Sequence, residues 1–469
     1  MTNNTNTSAN PAWKPLNVAV VGGGLGGMAA AVALRRAGHK VHIYERRDFK
    51  VEVGASISCA ANGGQWLKEW NVDVSKGKPV NLMKLVMRDW DTGEILNQYN
   101  LDHYEQDWGI PYYMFHRQDM HAMLLEVATS PEGEGEPCTV VVDHIAKSLD
   151  YVNGTVTFEN GETITADLII GADGIRSALR GQIGVTPQTR SANQTCYRCN
   201  VRRSDIEKLG LMADATDPAI QFWGGFTKGD LNRYYKIVMS PCSGGDVVSF
   251  YCFMPTELTN HTQEGFRFAE VPVSDIMAGR YDRLDPKCAD LIRNSVDRMP
   301  WRLYVHQPYP TWHKGKACLL GDAAHPMMPH QSQGACTAIE DAAALGIIFG
   351  RNYDFAANVE AGLDFYEHIR KPRATRVQAA SARATENLNE RIGFTSLTAP
   401  EAALAAKEGK LTVNEMNEYD MHAHIAKEAK AYGHLFAAEP HTPPRSEAAS
   451  TSFPKPAAPV ATSQVAAGV

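Results

Sequence analysis

The feature that most constrains this chain is a glycine-rich turn between a strand-like segment and a helix-like one. Residues 22–27 read GGGLGG, directly after NVAVV and before MAAAVALRRAGH, and they place Gly22, Gly24 and Gly27 at the glycines of the pattern GxGxxG. Glycine is needed there for a tight turn, for close approach of a pyrophosphate to the backbone and for close packing of helix on sheet. The helix would also present free N–H groups to the phosphates. The turn therefore predicts a Rossmann-like dinucleotide-binding unit.

An acidic residue at the end of the next predicted strand narrows the choice of nucleotide. Glu45 follows KVHIY, where a carboxylate can accept hydrogen bonds from ribose hydroxyls and repel a 2′-phosphate. The resident nucleotide is therefore expected to be FAD or NAD rather than NADP. Arg46 and Arg47 come next, and they either attract a phosphate or are simply solvated on the surface. Arg46 counts as a candidate cofactor-binding residue.

Length, composition and charge exclude several classes of protein. The 469 residues are 44% hydrophobic and 21% charged, which is typical of a globular protein with two or three folding units. The net charge of -7 disfavours nucleic acid as a partner, because binding of nucleic acid needs a basic surface. Residues 18–34 are uncharged but contain five glycines, and the first ten residues lack a secretory signal, so no membrane association is expected. The nine cysteines suit a reducing, cytoplasmic compartment better than disulfide bonds.

Two later motifs resemble the remaining fingerprints of a flavoenzyme family. The segment ADLIIGADGIRSALR places Asp173 just beyond an apolar strand, and KACLLGDAAHPMMPHQSQGACTAIEDAAAL places Asp322 at the end of another. Together with GGGLGG, HRQDM around Arg117 and the run that starts at Trp312, they resemble the single-component FAD-dependent aromatic hydroxylases. The nearest pattern is that of salicylate and 6-hydroxynicotinate hydroxylases, which have the p-hydroxybenzoate hydroxylase fold. The resemblance covers residues 17–378 and implies that FAD is the bound cofactor.

The resemblance and the strand and helix patterns imply one architecture. It is an α/β fold with an α+β insert: a Rossmann-like FAD-binding domain, a mainly β substrate domain and a C-terminal helical segment. The chain ends lack the apolar content that would offset the entropy of ordering them. We expect disordered tails at 1–14 and 439–469, FAD-binding parts at 15–190 and 301–352, the β-rich substrate domain at 191–300, and the helical region at 353–438.

The later motifs indicate how FAD would be held. Asp322 carries an acceptor-only carboxylate suited to a ribityl hydroxyl, although an Asp there also suits a helix cap. A helix that begins at Gly334 and Ala335 would stabilise negative charge on the reduced flavin, unless it only starts a buried helix. The resemblance implies that these two residues hold the pyrimidine edge of the flavin. It also implies contacts from Arg117 to the pyrophosphate (otherwise a salt-bridge partner of Asp119 or Glu126), from Asp173 to FAD and nicotinamide, and from the turn at Gly54 and Ala55, where Ser56 replaces a family glycine.

Candidate substrate residues come mostly from the resemblance. It matches Arg198 to an arginine that holds a carboxylate or steers the flavin, Tyr235 to a tyrosine that binds a phenol oxygen, and Pro326 to a proline beside the flavin C4a atom. For Arg198 and Tyr235, packing within the strands is an equal alternative. Trp223 is either an aromatic wall or a core residue, and His325 is interpreted as a satisfied histidine. The CxxC of Cys196 and Cys199 lacks the second pair that a zinc site needs, so no metal is expected.

The resemblance implies an FAD-dependent monooxygenase that takes NADH or NADPH as a transient co-substrate, because the chain has no second GxGxxG for a resident nicotinamide. Reduced flavin and oxygen would form a C4a-hydroperoxide that hydroxylates an activated aromatic substrate, such as a phenol or hydroxy acid. The protein would orient the substrate, exclude water and manage protons, and a homodimer is the assembly considered. The alternatives are an epoxidase or tailoring monooxygenase of a polyketide or terpenoid, a related reductase, and a non-catalytic flavin-binding protein.

Overall fold

The structure is a computed structural model that describes residues 13–49, 54–224, 234–259, 270–396 and 399–433. Its strands are β1 Asn17–Val21, β2 Lys40–Tyr44, β3 Ser56–Cys59, β4 Val80–Asn81, β5 Lys84–Arg88, β6 Ile95–Asn100, β7 Tyr113–His116, β8 Thr139–Val141, β9 Ala146–Asp150, β10 Thr155–Phe158, β11 Thr163–Thr165, β12 Leu168–Gly171, β13 Thr189–Arg202, β14 Ala219–Gly224, β15 Lys236–Cys242, β16 Val247–Pro255, β17 Val296–His306, β18 His313–Lys314 and β19 Ala317–Leu319. Its helices are α1 Leu25–Ala37, α2 Ala61–Glu69, α3 Tyr104–Trp108, α4 Arg117–Thr129, α5 Ala178–Gln182, α6 Arg203–Leu209, α7 Val273–Ile276, α8 Pro286–Arg293, α9 Gly334–Ile348, α10 Val359–Glu386, α11 Ala399–Lys407, α12 Val413–Asn417 and α13 Met421–Ala431.

The first large sheet is a Rossmann-like sheet of six strands in the order β18-β19-β12-β1-β2-β8. All neighbouring pairs are parallel except β18 with β19. The chain leaves β1 toward β2 on one side, and β12 later pairs on the other side, so the strand order reverses at β1. In open α/β sheets, ligands bind outside the carboxyl ends of the strands at such a point. The turns after β1, β12 and β19, which carry the three motifs, all lie at that edge.

The second large sheet contains seven strands in the order β17-β13-β16-β15-β14-β5-β6. Successive side chains of a strand point to opposite faces, and here both faces are covered. One face of β14, β15 and β16 turns toward the Rossmann-like half. The other packs against α7 and α8 in a core of its own, which includes Trp223, Ile237 and Phe250. The predicted combination of a Rossmann-like part, a β-rich part and C-terminal helices is confirmed.

The helices α9 and α10 join the two halves of the molecule. α9 packs against α1 and is buried along nearly its whole length. Two of its acidic residues, Glu340 and Asp341, are buried and pair with Arg370 of α10, and Glu340 also pairs with Arg373. These ion pairs hold the long helix α10 against α9.

The boundaries of the predicted parts differ in two places. β5 and β6 fall within 15–190 along the chain but complete the seven-stranded sheet of the predicted substrate domain, because β5 pairs in parallel with β14. Trp13 falls within the predicted N-terminal tail, yet its Nε1 donates to the carbonyl of Phe349 at 3.0 Å, and Arg351 stacks over its ring. The tail prediction therefore does not hold for Trp13. Residues 1–12 and 434–469 lie outside the described residues, so the rest of both tail predictions stays untested.

Three further observations concern membrane segments, metal sites and cysteines. Across the described ranges, no helix combines the length and apolar character that a membrane crossing requires. In the same residues, no group of three or more His, Cys, Asp or Glu could hold a metal ion. All nine cysteines are free and buried, and Cys196 and Cys199 lie in β13 without a disulfide between them.

Candidate active site

A cavity of about 380 Å³ lies where the two large sheets approach the start of α9. On one side it is bounded by the turns after β1, β12 and β19 and by the first turn of α9. We call this the cofactor side, and its residues include Gly24, Gly174, Asp322, Gly334 and Ala335. On another side it is bounded by alternate residues of β14, β15 and β16. We call this the sheet wall, which consists of Ile220, Phe222, Val238, Ser240, Tyr251 and Phe253.

The glycines of the first motif have separate structural reasons to be glycine. Gly22 has φ +108°, and a Cβ there would lie 2.4 Å from the carbonyl oxygen of Ala172. A Cβ on Gly27 would lie 2.0 Å from the carbonyl oxygen of Gly22, so this glycine allows helix and strand to touch. At Gly24 no heavy atom lies within 4 Å of the Cβ position, which leaves the cavity side of the turn open for a ligand. Turn, close packing and ligand approach are the three requirements of a dinucleotide cradle.

Two helices begin at the cavity, and neither has a side-chain cap at its N-terminus. Gly24 precedes α1 and Gln333 precedes α9, and neither N-terminus receives a hydrogen bond from a capping side chain. The first N–H groups of a helix need acceptors, and the helix dipole places partial positive charge there. A Cβ on Gly334 would meet no heavy atom within 4 Å, so this end of α9 is also open to a ligand. The cofactor side therefore fits an elongated, negatively charged dinucleotide.

Glu45 and its neighbours lie at the carboxyl end of β2. The Glu45 carboxylate accepts hydrogen bonds from the N–H groups of Gly23 at 2.7 Å and Arg47 at 3.1 Å. This bonding fixes the carboxylate beside the glycine turn, where the predicted ribose contact requires it. Arg46 is exposed, and it does not line the cavity.

Asp322 and Arg117 both line the cavity. Asp322 is accessible because it faces the cavity, but protein surrounds it closely enough that desolvation raises the pKa of its carboxyl group against the opposing charges of His325 and Arg117. Arg117 begins α4 and is half-buried. A carboxyl group with a raised pKa next to a cationic side chain suits a site that binds hydroxyl and phosphate groups together.

Three other predicted cofactor residues support the cavity from behind. The Asp173 carboxylate accepts hydrogen bonds from the N–H groups of Ala178 at 2.7 Å and Leu179 at 3.2 Å, while its neighbour Gly174 lines the cavity. A Cβ on Gly54 would lie 1.9 Å from the His116 ring, and the carbonyl of Ala55 accepts a hydrogen bond from the backbone N–H of Arg117 at 3.0 Å. These residues shape the turns, and the strand that follows them (Ser56 to Ser58) reaches the cavity.

The residues of the sheet wall differ from the prediction for Tyr235 and distinguish the two interpretations of Trp223. Tyr235 does not line the cavity: it is 7% exposed and packs with Trp90 and Tyr281 on the far face of the sheet. Trp223 is also on that face, where its Nε1 lies 3.3 Å from Asp285, so the core interpretation of Trp223 is the right one. The physical reason is strand alternation, which sends Phe222 rather than Trp223 to the cavity.

Arg198 lies beside the cavity without lining it. It is directly opposite Tyr251 across the strands β13 and β16, and such pairs point to the same face of a sheet. Its guanidinium stacks over Trp301 at 3.9 Å from the ring centre, and desolvation lowers its pKa. The predicted contact with substrate thus becomes, at most, a contact through Tyr251, whose hydroxyl donates to the carbonyl of Ser56.

The proline that reaches the cavity is Pro329 and not Pro326. Pro326 is buried, and its carbonyl accepts a hydrogen bond from Gln378 at 2.9 Å. Pro329 begins a short 3-10 turn and lines the cavity together with Met327 and Met328. The motif GDAAHPMMP contains two prolines, and the fold of this turn, which the sequence does not show, decides between them.

A buried ionic network holds the third motif in place. His325 is 2% exposed, and its Nε2 donates to Asp341 at 2.5 Å. Asp341 also accepts the N–H of Gly321 at 3.2 Å and Arg370 Nε at 2.9 Å. Although burial opposes ionisation, the charges of His325 and Arg370 lower the pKa of Asp341. The bond to Asp341 satisfies Nε2 of His325, but Nδ1 is buried and has no hydrogen-bond partner among the described residues. The interpretation of His325 as a satisfied histidine therefore holds for one ring nitrogen only, and the network anchors the turn that carries Asp322.

Two buried basic residues on the cavity were not predicted. His330 is 5% exposed, and Arg391 is 2% exposed. Desolvation lowers the pKa of His330 well below its usual value, with a further contribution from Lys236, so its imidazole is neutral. The position of His330 between two motif residues, Asp322 and Gly334, was a usable signal. Arg391 had none, because it reaches the cavity only through the return of the chain after α10.

The comparisons with known proteins agree with this geometry. Residues 15–381 match the family described as FAD binding domain. The FAD-dependent monooxygenase cfoG of Aspergillus candidus is 32% identical over 78% of this chain and 84% of that protein. Hispidin-3-hydroxylase of Neonothopanus nambi is 32% identical over 78% and 87%, and 6-hydroxynicotinate 3-monooxygenase of Pseudomonas fluorescens is 29% identical over 78% and 90%. HpxO of Klebsiella pneumoniae, solved with FAD and uric acid, shares the fold with a TM-score of 0.66 at 21% identity over 90% of this chain and 98% of that one.

Proposed function

Because the chain belongs to the FAD binding domain family and is an FAD-dependent monooxygenase of the aromatic hydroxylase type, we propose that it hydroxylates an activated aromatic substrate, a phenol or hydroxy acid, at the expense of NADH or NADPH. Bound FAD would supply the oxygen-transferring chemistry through a C4a-hydroperoxide. The observation that carries the proposal is the single cavity that joins two uncapped helix N-termini to a wall rich in aromatic and aliphatic side chains.

The residues of the cofactor side would hold FAD along its length. Gly24 and the start of α1 would receive the pyrophosphate, with Arg117 as the cationic partner, and Asp322 would bind a ribityl hydroxyl. The start of α9 at Gly334 and Ala335 would face the flavin pyrimidine edge, where a positive dipole end stabilises negative charge. Each of these roles is a proposal that the open Cβ directions and missing caps support.

The sheet wall would bind and orient the aromatic ring. Phe222, Val238 and Phe253 line the cavity, and their apolar side chains would pack against an aromatic ring. Such a lining excludes water from the reacting atoms. NADH or NADPH would bind transiently, since the sequence contains one GxGxxG motif and FAD would occupy it.

His330 would accept a hydrogen bond from a hydroxyl group of the substrate. Its Nδ1 lies 3.5 Å from the hydroxyl of Thr385, which itself donates to the carbonyl of Ser381. That hydroxyl is therefore placed to accept from Nδ1–H, which leaves Nε2 with a lone pair. Nε2 has no partner among the described residues. A substrate hydroxyl that donates a hydrogen bond to Nε2 would become more electron-rich, and so would the aromatic ring that carries it. An electron-rich ring is the one that accepts an oxygen atom.

The test is oxygen incorporation with isotopically heavy oxygen gas. The flavin-loaded protein is mixed with NADH or NADPH and a panel of phenols and aromatic hydroxy acids, and the products are analysed by mass spectrometry. We expect a product that contains one heavy oxygen atom, formed with consumption of the reduced nicotinamide. Consumption that yields only hydrogen peroxide across the panel would contradict the proposal, and an epoxide in product NMR would favour the tailoring alternative. The proposed homodimer is checked by light scattering of the same preparation.

A further inference from the structure

The cavity contains a buried arginine that no carboxylate of the described residues neutralises. Arg391 is 2% exposed and lines the cavity. Its Nη1 donates to the carbonyl of Ile392 at 2.8 Å, and its Nη2 lies 3.4 Å from the hydroxyl of Tyr112. Its Nε has no hydrogen-bond partner, and among the described residues no Asp or Glu forms a salt bridge with it. A guanidinium in this position retains donors for a ligand.

Other buried arginines of the molecule show what Arg391 lacks. Arg370 is fully buried and pairs with both Glu340 and Asp341. Arg35 is 2% exposed and donates to a cluster of backbone carbonyls, including those of Val127 and Glu132. An isolated charge is costly to bury, and here the surrounding chain supplies its compensation. At Arg391 the compensation from the chain is partial.

The local structure holds Arg391 rigidly at the sheet wall. Its guanidinium carbon lies 5.1 Å from the ring centre of Phe222 and 5.8 Å from that of Phe394. The buried side chain of Gln331 donates to the carbonyl of Glu390 at 2.7 Å and accepts the N–H of Ile392 at 2.8 Å. Gln331 follows His330 directly, so one side chain fixes Arg391 relative to the proposed hydroxyl acceptor. Such a fixed donor loses little entropy when a ligand binds.

We propose that Arg391 is the specificity-determining residue of this enzyme and that it binds an anionic oxygen of the aromatic substrate, either a carboxylate or an ionised ring hydroxyl. This inference rests on the proposed function, because it places the substrate ring on the sheet wall beside Phe222. The guanidinium offers planar, paired donors to such an oxyanion. Substrates of matched shape without the charge would leave the arginine buried and unpaired, and they are therefore bound more weakly.

The experiment compares charged and neutral probes of the same shape in a binding assay that needs no turnover. Flavin-loaded protein is titrated by calorimetry with 3-hydroxybenzoate against 3-hydroxybenzamide, and with 4-nitrophenol, above its pKa, against 4-nitroanisole. The proteins are the wild type, Arg391→Met, Arg391→Lys and the control Arg351→Met. Arg351 also stacks on an aromatic ring, that of Trp13, but it lies outside the cavity. Flavin content and thermal midpoint verify that each variant is folded.

We expect the wild type and Arg351→Met to prefer at least one charged probe over its neutral partner. Arg391→Met should weaken binding of that charged probe on the order of 100-fold, the usual scale for truncating one member of a buried charge pair, while binding of the neutral partner changes little. Arg391→Lys should recover part of the loss. The probe pair that shows the effect identifies the oxyanion as a carboxylate or as an ionised hydroxyl.

Two outcomes would overturn the role of Arg391. One is equal preference for charged probes in the wild type and in folded Arg391→Met, and the other is a wild type that binds none of the charged probes. Failure of the proposed function has a different signature, since oxygen would then be absent from every product while the binding preference persists. Turnover of neutral phenols by Arg391→Met, with loss of turnover for the charged ones, would support both proposals together.

Discussion

The two sides of the cavity are built on different physical principles. The cofactor side is made of backbone: a glycine turn, two helix N-termini and the ends of parallel strands. The sheet wall and its neighbours are made of side chains, from Ile220 to Arg391, that come from several separate parts of the chain. A backbone site needs particular residues at fixed local spacing, so it can be recognised in the sequence as a motif. A side-chain site needs only that the fold bring the right groups together, so no sequence motif identifies it.

The largest effect that this comparison predicts is that of an added methyl group at Gly27. In Gly27→Ala the new Cβ would lie 2.0 Å from the carbonyl oxygen of Gly22 and 3.3 Å from the Cβ of Ala172. Helix α1 must then move away from the sheet, since overpacking on backbone atoms has no flexible neighbour to absorb it. We expect purified Gly27→Ala to contain no flavin, as measured from the absorbance of the protein and of the released cofactor.

Gly24→Ala is the matched control for that variant. Gly24 has φ −72°, which alanine adopts readily, and its Cβ would meet no heavy atom within 4 Å. The protein should therefore fold with an unchanged thermal midpoint in its apo form but bind FAD about tenfold or more weakly, because the methyl group occupies the approach of the pyrophosphate. Wild-type FAD affinity in Gly24→Ala would mean that the cofactor does not lie against this turn.

The second prediction compares the paired and the unpaired buried arginine. Arg370→Met removes the partner that Glu340 and Asp341 share and leaves each buried carboxylate with one basic partner, Arg373 or His325. It should therefore lower the free energy of unfolding by about 3–5 kcal/mol. Arg391→Met removes a charge that no carboxylate in the described part of the chain balances, and the ligand-free protein should be as stable as the wild type or more stable. Urea denaturation of both apo proteins gives the comparison. Equal destabilisation would show that Arg391 is a structural residue.

The third prediction concerns the acid stability of the Rossmann-like half. His39 is buried with both ring nitrogens in use: Nδ1 accepts the N–H of Leu16 at 3.0 Å, and Nε2 donates to the carbonyl of Phe349 at 3.0 Å. Burial, with the charge of Arg351, lowers the pKa of His39 to about 4. The unfolded chain takes up this proton near pH 6.5 and the folded one near pH 4, so stability is present above pH 6.5 and is lost as the pH falls toward 4. The loss amounts to about 3 kcal/mol.

Replacement of this histidine by glutamine should reduce the dependence of the unfolding free energy on pH below pH 6.5. The amide of His39→Gln can supply an acceptor and a donor but does not titrate, so the slope of unfolding free energy between pH 6.5 and 4 should fall by up to about 1.4 kcal/mol per pH unit. Urea titrations at several pH values measure the slope. An unchanged slope would assign the acid sensitivity to other buried histidines, such as His306, whose pKa burial also lowers to about 4.

The same difference between backbone and side-chain sites explains how far the sequence could predict this molecule. The glycine turn, Asp322 and the start of α9 followed from spacing, and the structure brings them to one cavity. The strands of the second sheet are buried on both faces, so their apolar pattern does not alternate and gives no register. Tyr235 was chosen from the resemblance, and no alternation in the sequence indicated that Val238 rather than Tyr235 lines the cavity. The position of Arg391 at the cavity depends on how the chain turns back after the 28 residues of α10. No local sequence pattern predicts that turn.

The smallest predicted effect tests the orientation of the sheet itself. Tyr235 lies on the face that packs against Trp90 and Tyr281, so Tyr235→Phe should change kcat/KM by less than about twofold, since the hydroxyl reaches neither the substrate nor the flavin. Val238→Phe, three residues along the chain and on the other face, should raise KM strongly because its ring would enter the cavity. Steady-state oxidation of the reduced nicotinamide measures both. A tenfold loss in Tyr235→Phe with a wild-type Val238→Phe would mean that the faces are exchanged, and then Phe222, His330 and Arg391 could not share a substrate.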